Sequence, residues 1–416
     1  MDTHMRIAII GGGAAGLMAA ATVLAASPNA EIFLLEQNDG LGKKVIISGG
    51  GRCNVTTGIT DVRTVLTKYP RGAKFLSSAM FTFPPSAVQE WFESHGVPLK
   101  TEDDLRVFPV SDDGHDVVGA FERLFATSRV HVLLRTYVIK IAHHEKIFSI
   151  FTKGNDTPLT VDKVVLTTGG QAYRHTGSTG DGYAFAMSLG HTLTPLAPSL
   201  NAFFTRERWP ADVSGLSFEQ AKITAHLEKK ISFTGPLLFT HKGVSGPAVF
   251  ALSSLVAFER YDHSVPLDIS IDLFPELTTH ELRMIIENHL AENPAKIFQN
   301  ILASVIPKSL TEICVREAGL PGDKRADHIA KADVLRAATW LKTIPLHVVQ
   351  RGAGDEFVTA GGVPLSEVDP STMESKICPG LYFAGEILDI DGFTGGFNLQ
   401  ASWATGHLAG ESIAAI

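Results

Sequence analysis

Cysteine is scarce: Cys53, Cys314 and Cys378 lie far apart and are odd in number in a chain of 416 residues. A disulfide framework is therefore not expected, and the lack of any CxxC or CxxxxC pair leaves no sequence-local redox dithiol. Positive charge is in deficit, with 36 Lys and Arg against 44 Asp and Glu and a net charge of −8. No basic stripe stands out, so nucleic acid is not expected as a partner. No window approaches about 18 uninterrupted apolar residues, so no membrane span is expected. Met5–Ala26 loosely imitates a signal peptide, but Gly11, Gly12 and Gly13 cut its apolar run where a signal helix is continuous. No His, Cys, Asp or Glu cluster has metal-ligand spacing, and no metal is expected. These absences together favour a reducing, cytoplasmic setting.

What is present is ordinary for a globular chain, 44% hydrophobic and 19% charged, with room for two or three domains. Arg6–Ile10 is a short apolar run ending in glycines, as suits a buried parallel strand. Ala14–Ala26 reads as a helix and Glu31–Glu36 as a second strand, which completes one βαβ unit. Amphipathic helical stretches follow near Arg71–Met80 and Pro85–His95. Val130–Leu134, Val138–His143 and Ile147–Phe151 read as an antiparallel meander ahead of the strand Val164–Thr168. From about residue 190 to 275, β-like runs such as Lys222–Leu227 and Leu267–Leu273 are broken by Pro and Gly. Residues 278–342 read as helices, with capping-box spacing at Thr278/Glu281 and Ser309/Glu312. From about 345 the chain returns to strand, Gly-rich loop and a last helix near Leu399–Ile413.

Three motifs carry chemistry. The first, Gly11-Gly12-Gly13-Ala14-Ala15-Gly16, is a GxGxxG between a strand and a helix, with Glu36 ending the next strand. Gly11 permits the tight turn, Gly13 lets a pyrophosphate approach, and Gly16 lets helix and strand pack closely. The helix N-terminus offers free N–H groups and a positive dipole end to phosphates. Glu36, followed by Gln37, can accept hydrogen bonds from ribose hydroxyls. The second motif runs through Lys43, Lys44, Ser48, Gly49, Gly50, Gly51, Arg52, Cys53 and Asn54, a cationic and glycine-rich loop suited to a large cofactor. The third joins Gly385-Glu386 at a strand end to Gly395-Gly396-Phe397-Asn398 opening the last helix, with Ala401 one turn on. Such a helix N-terminus beside a flavin can stabilise its anionic reduced form.

These segments, with Val165–Gly170 and Gly235–Ser245, span nearly the whole chain in order. It resembles the BaiN/YhiN-type family of NAD(P)/FAD-dependent oxidoreductases, which includes aminoacetone-oxidase-like flavoproteins. The resemblance implies an α/β fold: a Rossmann-like, GR2-type FAD-binding domain (three-layer ββα) built from both termini, residues 1–190 plus 345–416. A β-barrel-like domain (191–275) and a helical subdomain (276–344) would be inserted. It implies noncovalent FAD, held by the motif residues already named and by Val138, Thr168, Gly169 and Gly170. Phe397 departs from the pattern, standing where an aromatic hydroxyl is common.

Catalytic groups are less legible, because a flavin carries its own hydride chemistry. His175, after Tyr173, lies where a proton donor could serve or where a plain loop histidine would sit. His241 and Lys242 would line a substrate cavity if the β domain covers the flavin. Cys53 reads as a packing residue near FAD rather than a redox thiol, and Arg52 as a phosphate or loop anchor. The expected function is an FAD-dependent oxidoreductase for a small organic substrate, with either NAD(P)H as electron donor or dioxygen as acceptor; with no second GxGxxG, NAD(P)H would dock only transiently at the flavin. The alternatives are an FAD-dependent RNA modifier, which the charge balance disfavours, and a non-catalytic flavin-binding protein.

Overall fold

The computed structural model describes residues 4–352 and 357–415. The chain forms two units, Met1–Ser199 with Glu356–Ile416, and Leu200–Asp355. The first is organised on a five-stranded sheet in the order Leu381–Phe383, Lys163–Leu166, Arg6–Ile10, Glu31–Leu35, Val130–Leu133. Every pairing in it is parallel, with Ile7 opposite both Lys163 and Ile32. The first two strands of the sequence are buried along nearly their whole length, as a parallel sheet covered on both faces requires.

The N-terminal helix, Ala14–Ala26, is almost all Ala, Leu and Met with Gly16 inside it, and its first ten residues are buried. The C-terminal helix, Phe397–Ala414, packs along it through Gly406 and Gly410. Val130–Leu133 departs from the meander expected of it and joins the parallel sheet beside Glu31–Leu35. The helix Gly114–Ala126 precedes it, so the strand is reached by a crossover rather than a hairpin. The antiparallel meander is instead Val138–His144, Ile147–Thr152 and Leu159–Val161. The first helix expected after the second glycine loop is confined to Ser77–Thr82, and Gly72, at φ +83°, lies in the turn that precedes it.

The second unit contains a closed six-stranded barrel: Phe203–Thr205, Gly243–Ser245, Ile231–Thr240, Ser217–Ala225, Leu267–Asp272 and Ile344–Arg351. Side chains alternate along these strands; Ala221, Ile223 and Ala225 are fully buried in the third from last. Ile344–Arg351, expected in the FAD-binding part, closes the barrel by pairing with both Leu267–Ile271 and Phe203–Thr205. The helices between residues 279 and 342 share one core with the barrel, in which Ile301, Leu310 and Leu341 pack with Phe239 and Ile271. The helical subdomain and barrel thus make one body.

The Thr278 capping box forms as expected. Thr278 N–H donates to Glu281 Oε2 (2.7 Å), and Glu281 N–H donates to Thr278 Oγ1 (3.2 Å). Ser309/Glu312 does not form one, because the helix Lys308–Glu317 already begins behind Pro307. Thr278→Ala is expected to destabilise the second unit by about 1 kcal/mol, read as a shift in urea midpoint at constant slope. An unchanged midpoint would remove the cap from the list of contributors.

Candidate functional site

The turn after the first strand is held from three sides. Gly11 has φ +108°, and a Cβ there would lie 2.6 Å from the Thr167 carbonyl oxygen. Thr167 Oγ1 meets the Ile10 and Gly11 carbonyl oxygens, each at 2.9 Å. A Cβ at Gly16 would lie 2.0 Å from the Gly11 carbonyl oxygen, whereas one at Gly13 would meet nothing within 4 Å. The turn is therefore closed at Gly11 and Gly16 and open at Gly13. The helix behind it has no side-chain cap and no acidic residue in its first turn. Its N–H groups at Ala14, Ala15 and Gly16 face a position where an anion is favoured.

Glu36 is buried and holds this turn to the next loop. Its Oε2 accepts from Gly12 N–H (2.8 Å), and its Oε1 accepts from Asn38 N–H (2.8 Å) and Asn38 Nδ2 (2.7 Å). A carboxylate offers about four acceptor positions, so one remains for a ribose hydroxyl. Gln37 Nε2 donates to the Gly177 carbonyl oxygen (2.5 Å) and Asn38 Nδ2 to that of Thr176 (2.9 Å). These bonds bring the 175–177 loop beside the end of the second strand. Val138 lies two residues past Thr136, whose N–H donates to the Glu36 carbonyl oxygen (2.9 Å).

In the second glycine loop, Gly49, Gly50 and Gly51 all have positive φ, and Cys53 has φ 58°. Cβ atoms at Gly50 and Gly51 would enter open space. Ser48 Oγ donates to the Val45 carbonyl oxygen (2.7 Å), and its own carbonyl accepts from Cys53 N–H (2.9 Å). The Cys53 thiol is fully buried, which pushes its pKa up to about 12 and leaves it no thiolate to react. Arg52 bonds Glu102 (2.7 Å) and Asp112 (3.3 Å) and lies 3.8 Å from the Phe108 ring centre, so it anchors the loop. Lys43 pairs with Asp39 at 2.7 Å near the surface. Lys44 reaches Glu386 at 2.5 Å and so links this loop to the C-terminal motif.

That motif continues the edge strand Leu381–Phe383. Gly385 has φ +79° and donates to Thr405 Oγ1 (3.0 Å) on the C-terminal helix. Glu386 Oε1 accepts from Thr359 N–H (2.8 Å), and Thr359 Oγ1 accepts from Gln171 N–H (2.7 Å). A Cβ at Gly170 would lie 2.5 Å from that hydroxyl, so the Thr168-Gly169-Gly170 loop is fixed from behind. Gly395 and Gly396 have φ +127° and +87°, and a Cβ at Gly396 would lie 2.3 Å from the Thr56 carbonyl oxygen. The C-terminal helix likewise starts without a side-chain cap or a first-turn acid. Asn54 Oδ1 fits as acceptor of Gly396 N–H (2.9 Å), its amide nitrogen donating to the Thr56 carbonyl oxygen (3.0 Å). Asn398 holds the Gly392 turn with two 2.8 Å bonds. Phe397 is buried, its carbonyl accepting from Tyr69 Oη (2.7 Å), and Ala401 is buried behind it. Asn54, Asn398 and Phe397 thus shape the cradle from the inside.

Thr359 and Asn38 escaped sequence reading. Neither sits in a motif, and both act through bonds to residues distant in the chain. Of the catalytic candidates, His175 is exposed with its ring against Tyr173, the centroids 5.9 Å apart. His241 and Lys242 occupy the exposed hairpin turn between Ile231–Thr240 and Gly243–Ser245, with Lys242 Nζ 5.0 Å from the Phe204 ring centre. They belong to the second unit, and the glycine loops assemble without them. Among the described residues no group of three or more His, Cys, Asp or Glu is placed to hold a metal ion, and no helix could cross a membrane.

Two helix N-termini without side-chain caps, with glycine openings at Gly13 and at Gly50 and Gly51, fit an extended dinucleotide with a pyrophosphate at its centre. The fold is that of a Rossmann-type FAD flavoprotein, an FAD-dependent oxidoreductase. The chain belongs to the family described as HI0933-like protein Rossmann domain, whose model matches residues 5–412. It is 33% identical over 414 residues to the 3-dehydro-bile acid delta(4,6)-reductase of Clostridium scindens, covering 98% of this chain and 99% of that one. It is 27% identical over 413 residues to the ribosomal RNA dihydrouridine synthase of Escherichia coli, covering 98% and 97%. In fold it is similar to the 3-ketosteroid delta1-dehydrogenase of Sterolibacterium denitrificans, with a TM-score of 0.52 at 14% identity over 98% and 99% of the chains.

Two substitutions separate the open glycine from the closed one. Gly13→Asp should leave folding intact and abolish FAD content in the purified protein, because its carboxylate would point into the anion position. Gly16→Ala should instead lower stability by about 1–3 kcal/mol through overpacking, read by denaturant titration. A Gly13→Asp protein carrying a full complement of FAD would overturn the phosphate-cradle assignment. The buried Cys53 should also resist iodoacetamide in the native protein near pH 8 and react only on unfolding, as peptide mass mapping would record.

Proposed function

We propose that this protein reduces a carbon–carbon double bond conjugated to a carbonyl group in a small organic molecule. The observation that carries the reading is the full-length likeness to a reductase of that bond type. A 3-dehydro-bile acid with delta(4,6) unsaturation presents a dienone. Uridine, which the second relative's name says is reduced, presents a double bond conjugated to its ring carbonyl. Addition of two electrons and two protons across an electron-poor double bond is common to both.

FAD, when bound, supplies the two-electron chemistry. The chain's part is to bind, orient and balance charge. The N-terminus of Ala14–Ala26, open at Gly13, would take the pyrophosphate, with Ala14, Ala15 and Gly16 offering N–H groups. Glu36 would take a ribose hydroxyl through its remaining acceptor position, with Gln37 and Val138 beside it. Gly49, Gly50, Gly51, Thr168, Gly169 and Gly385 would let the backbone approach the rest of the cofactor. Lys44 and Glu386 would orient it between the two glycine motifs. The uncapped start of the C-terminal helix, at Gly395 and Gly396, would favour negative charge on the reduced cofactor. NAD(P)H is the proposed electron donor, docking transiently because the one GxGxxG is committed to FAD. The three cysteines are free and buried, which suits a reducing compartment.

A second reading, reduction of uridine in RNA, is favoured by the Escherichia coli relative and opposed by the net charge of −8. One anaerobic experiment separates the two. The holoprotein is mixed with NADH or NADPH until its flavin absorbance bleaches, then with a 4-en-3-one steroid, cyclohexenone or uridine-containing RNA. Recovery of the flavin band with an enone, and a product heavier by two hydrogens, is expected. Recovery with RNA alone would move the assignment to the second reading, and recovery with none would sink both.

A further inference from the structure

Behind the FAD loops lies a hydrogen-bonded chain that the proposed function does not use. His191 is buried, with no exposed side-chain surface. Its Nδ1 lies 2.9 Å from Glu367 Oε2 and its Nε2 lies 2.8 Å from Ser375 Oγ. Ser375 Oγ also accepts from Ile377 N–H (3.0 Å) and Cys378 N–H (2.8 Å). A hydroxyl oxygen has two acceptor positions, and both are taken. Its own hydrogen must therefore be the one given to Nε2, so Nε2 is unprotonated and Nδ1–H donates to Glu367. An imidazolium would present a third donor to an oxygen with no room for it.

The chain joins two elements that bear on the cofactor site. His191 follows the helix Asp181–Ser188, and its N–H donates to the Ala186 carbonyl oxygen (3.1 Å). Ser375 N–H donates to the Leu381 carbonyl oxygen (2.7 Å), and Phe383 N–H to that of Met373 (3.0 Å). The 373–375 segment thus supports the strand that ends in Gly385-Glu386. We propose that Ser375–His191–Glu367 is a clasp that accepts only an uncharged imidazole, and that its opening in mild acid loosens the FAD loops. His191 is in this sense a positioning residue.

The surroundings agree. The charged groups around the imidazole are few: Glu367, which Thr192 also bonds through its N–H (3.0 Å) and hydroxyl, and Lys376, whose ammonium is turned to the Ser366 carbonyl oxygen (3.2 Å). From the edge strand it meets the uncharged Phe383 ring, centroids 4.7 Å apart. Beyond Ser375, Cys378 Sγ lies 3.4 Å from His143 Nδ1, and Glu374 accepts from Gly380 N–H (2.8 Å). Burial pushes the His191 pKa down, and Glu367 only partly offsets it. The unfolded chain then binds a proton that the folded chain refuses. The clasp's contribution is complete above the ordinary imidazole value of about 6.5 and is lost as pH falls below it.

The test rests on the FAD assignment and can be told apart from it, since a protein that binds no FAD even at neutral pH fails that assignment first. Flavin release from the holoprotein, followed by fluorescence, is expected to rise severalfold as pH falls from about 7.5 to about 5.5, through the ordinary imidazole value. Glu367→Gln removes the charge that favours the imidazolium within the clasp and should enlarge the rise relative to the variant's own rate at about pH 7.5, with the onset still near the ordinary imidazole value. Nitrogen-detected NMR of the histidines should assign His191 as the neutral Nδ1–H tautomer at neutral pH, with His191→Gln identifying its signals. A release rate flat with pH, a rise that Glu367→Gln leaves unchanged in size, or an Nε2–H or charged His191 would each overturn the clasp.

Discussion

The first unit depends on how closely the backbone of the N-terminal helix is approached. A Cβ at Gly406 would lie 2.3 Å from the Ala15 carbonyl oxygen, and one at Gly410 would lie 3.0 Å from that of Ala19. On the other side, Gly16 leaves only 2.0 Å between its missing Cβ and the Gly11 carbonyl oxygen. The helix is thus clamped between its own turn and the last helix of the chain by contacts that tolerate hydrogen alone. This explains its composition, since Ala-rich faces permit such approach. It also explains how two glycine motifs at opposite ends of the sequence come to lie beside one another.

Close approach leaves loops with unusual backbone, and such conformations persist only where neighbours over-determine them. Here the neighbours are buried polar side chains of the C-terminal helix. Gln400 accepts from Thr56 Oγ1 (2.6 Å) and donates to the Phe83 carbonyl oxygen (2.9 Å), and Trp403 Nε1 donates to that of Val55 (2.9 Å). With Asn54 bonded to Gly396, these ties fasten the second glycine loop to the start of that helix. Loss of one partner would leave another buried and unpaired, at a cost of about 1–3 kcal/mol. The loops are therefore tied to the helix by several buried bonds at once.

Local patterns were legible in the sequence and long-range bonds were not. The GxGxxG, with a strand before it and a helix after, located the turn, and the distinct geometry at Gly11, Gly13 and Gly16 follows its spacing. Glu36 was legible as an acid at the right distance, but its hold on Gly12 and Asn38 was not. Arg52 looked like a phosphate or loop anchor; only the fold brings it to Glu102, Asp112 and Phe108. Val130–Leu133 has the same β-rich texture as its neighbours, and texture does not distinguish a crossover strand from a hairpin. Ile344–Arg351 was misassigned for a similar reason, since its barrel partner Leu267–Ile271 is more than 70 residues away. The Ser375–His191–Glu367 chain joins residues up to 184 positions apart and carries no motif at all.

The charge balance raises an apparent conflict, an anionic cofactor on a protein of net charge −8. Net charge acts over distances that salt screens within about 8–10 Å, whereas the cradle acts at contact. At contact the acids are already committed: Glu36 to Gly12 and Asn38, Glu386 to Lys44 and Thr359, and Asp391 to Arg71 and Ser199. Neither helix N-terminus carries an acid in its first turn. A phosphate placed at Gly13 would meet the N–H dipoles of the helix start and no acid in its first turn, so on this reading local dipoles would decide the binding and the surface charge would not oppose it.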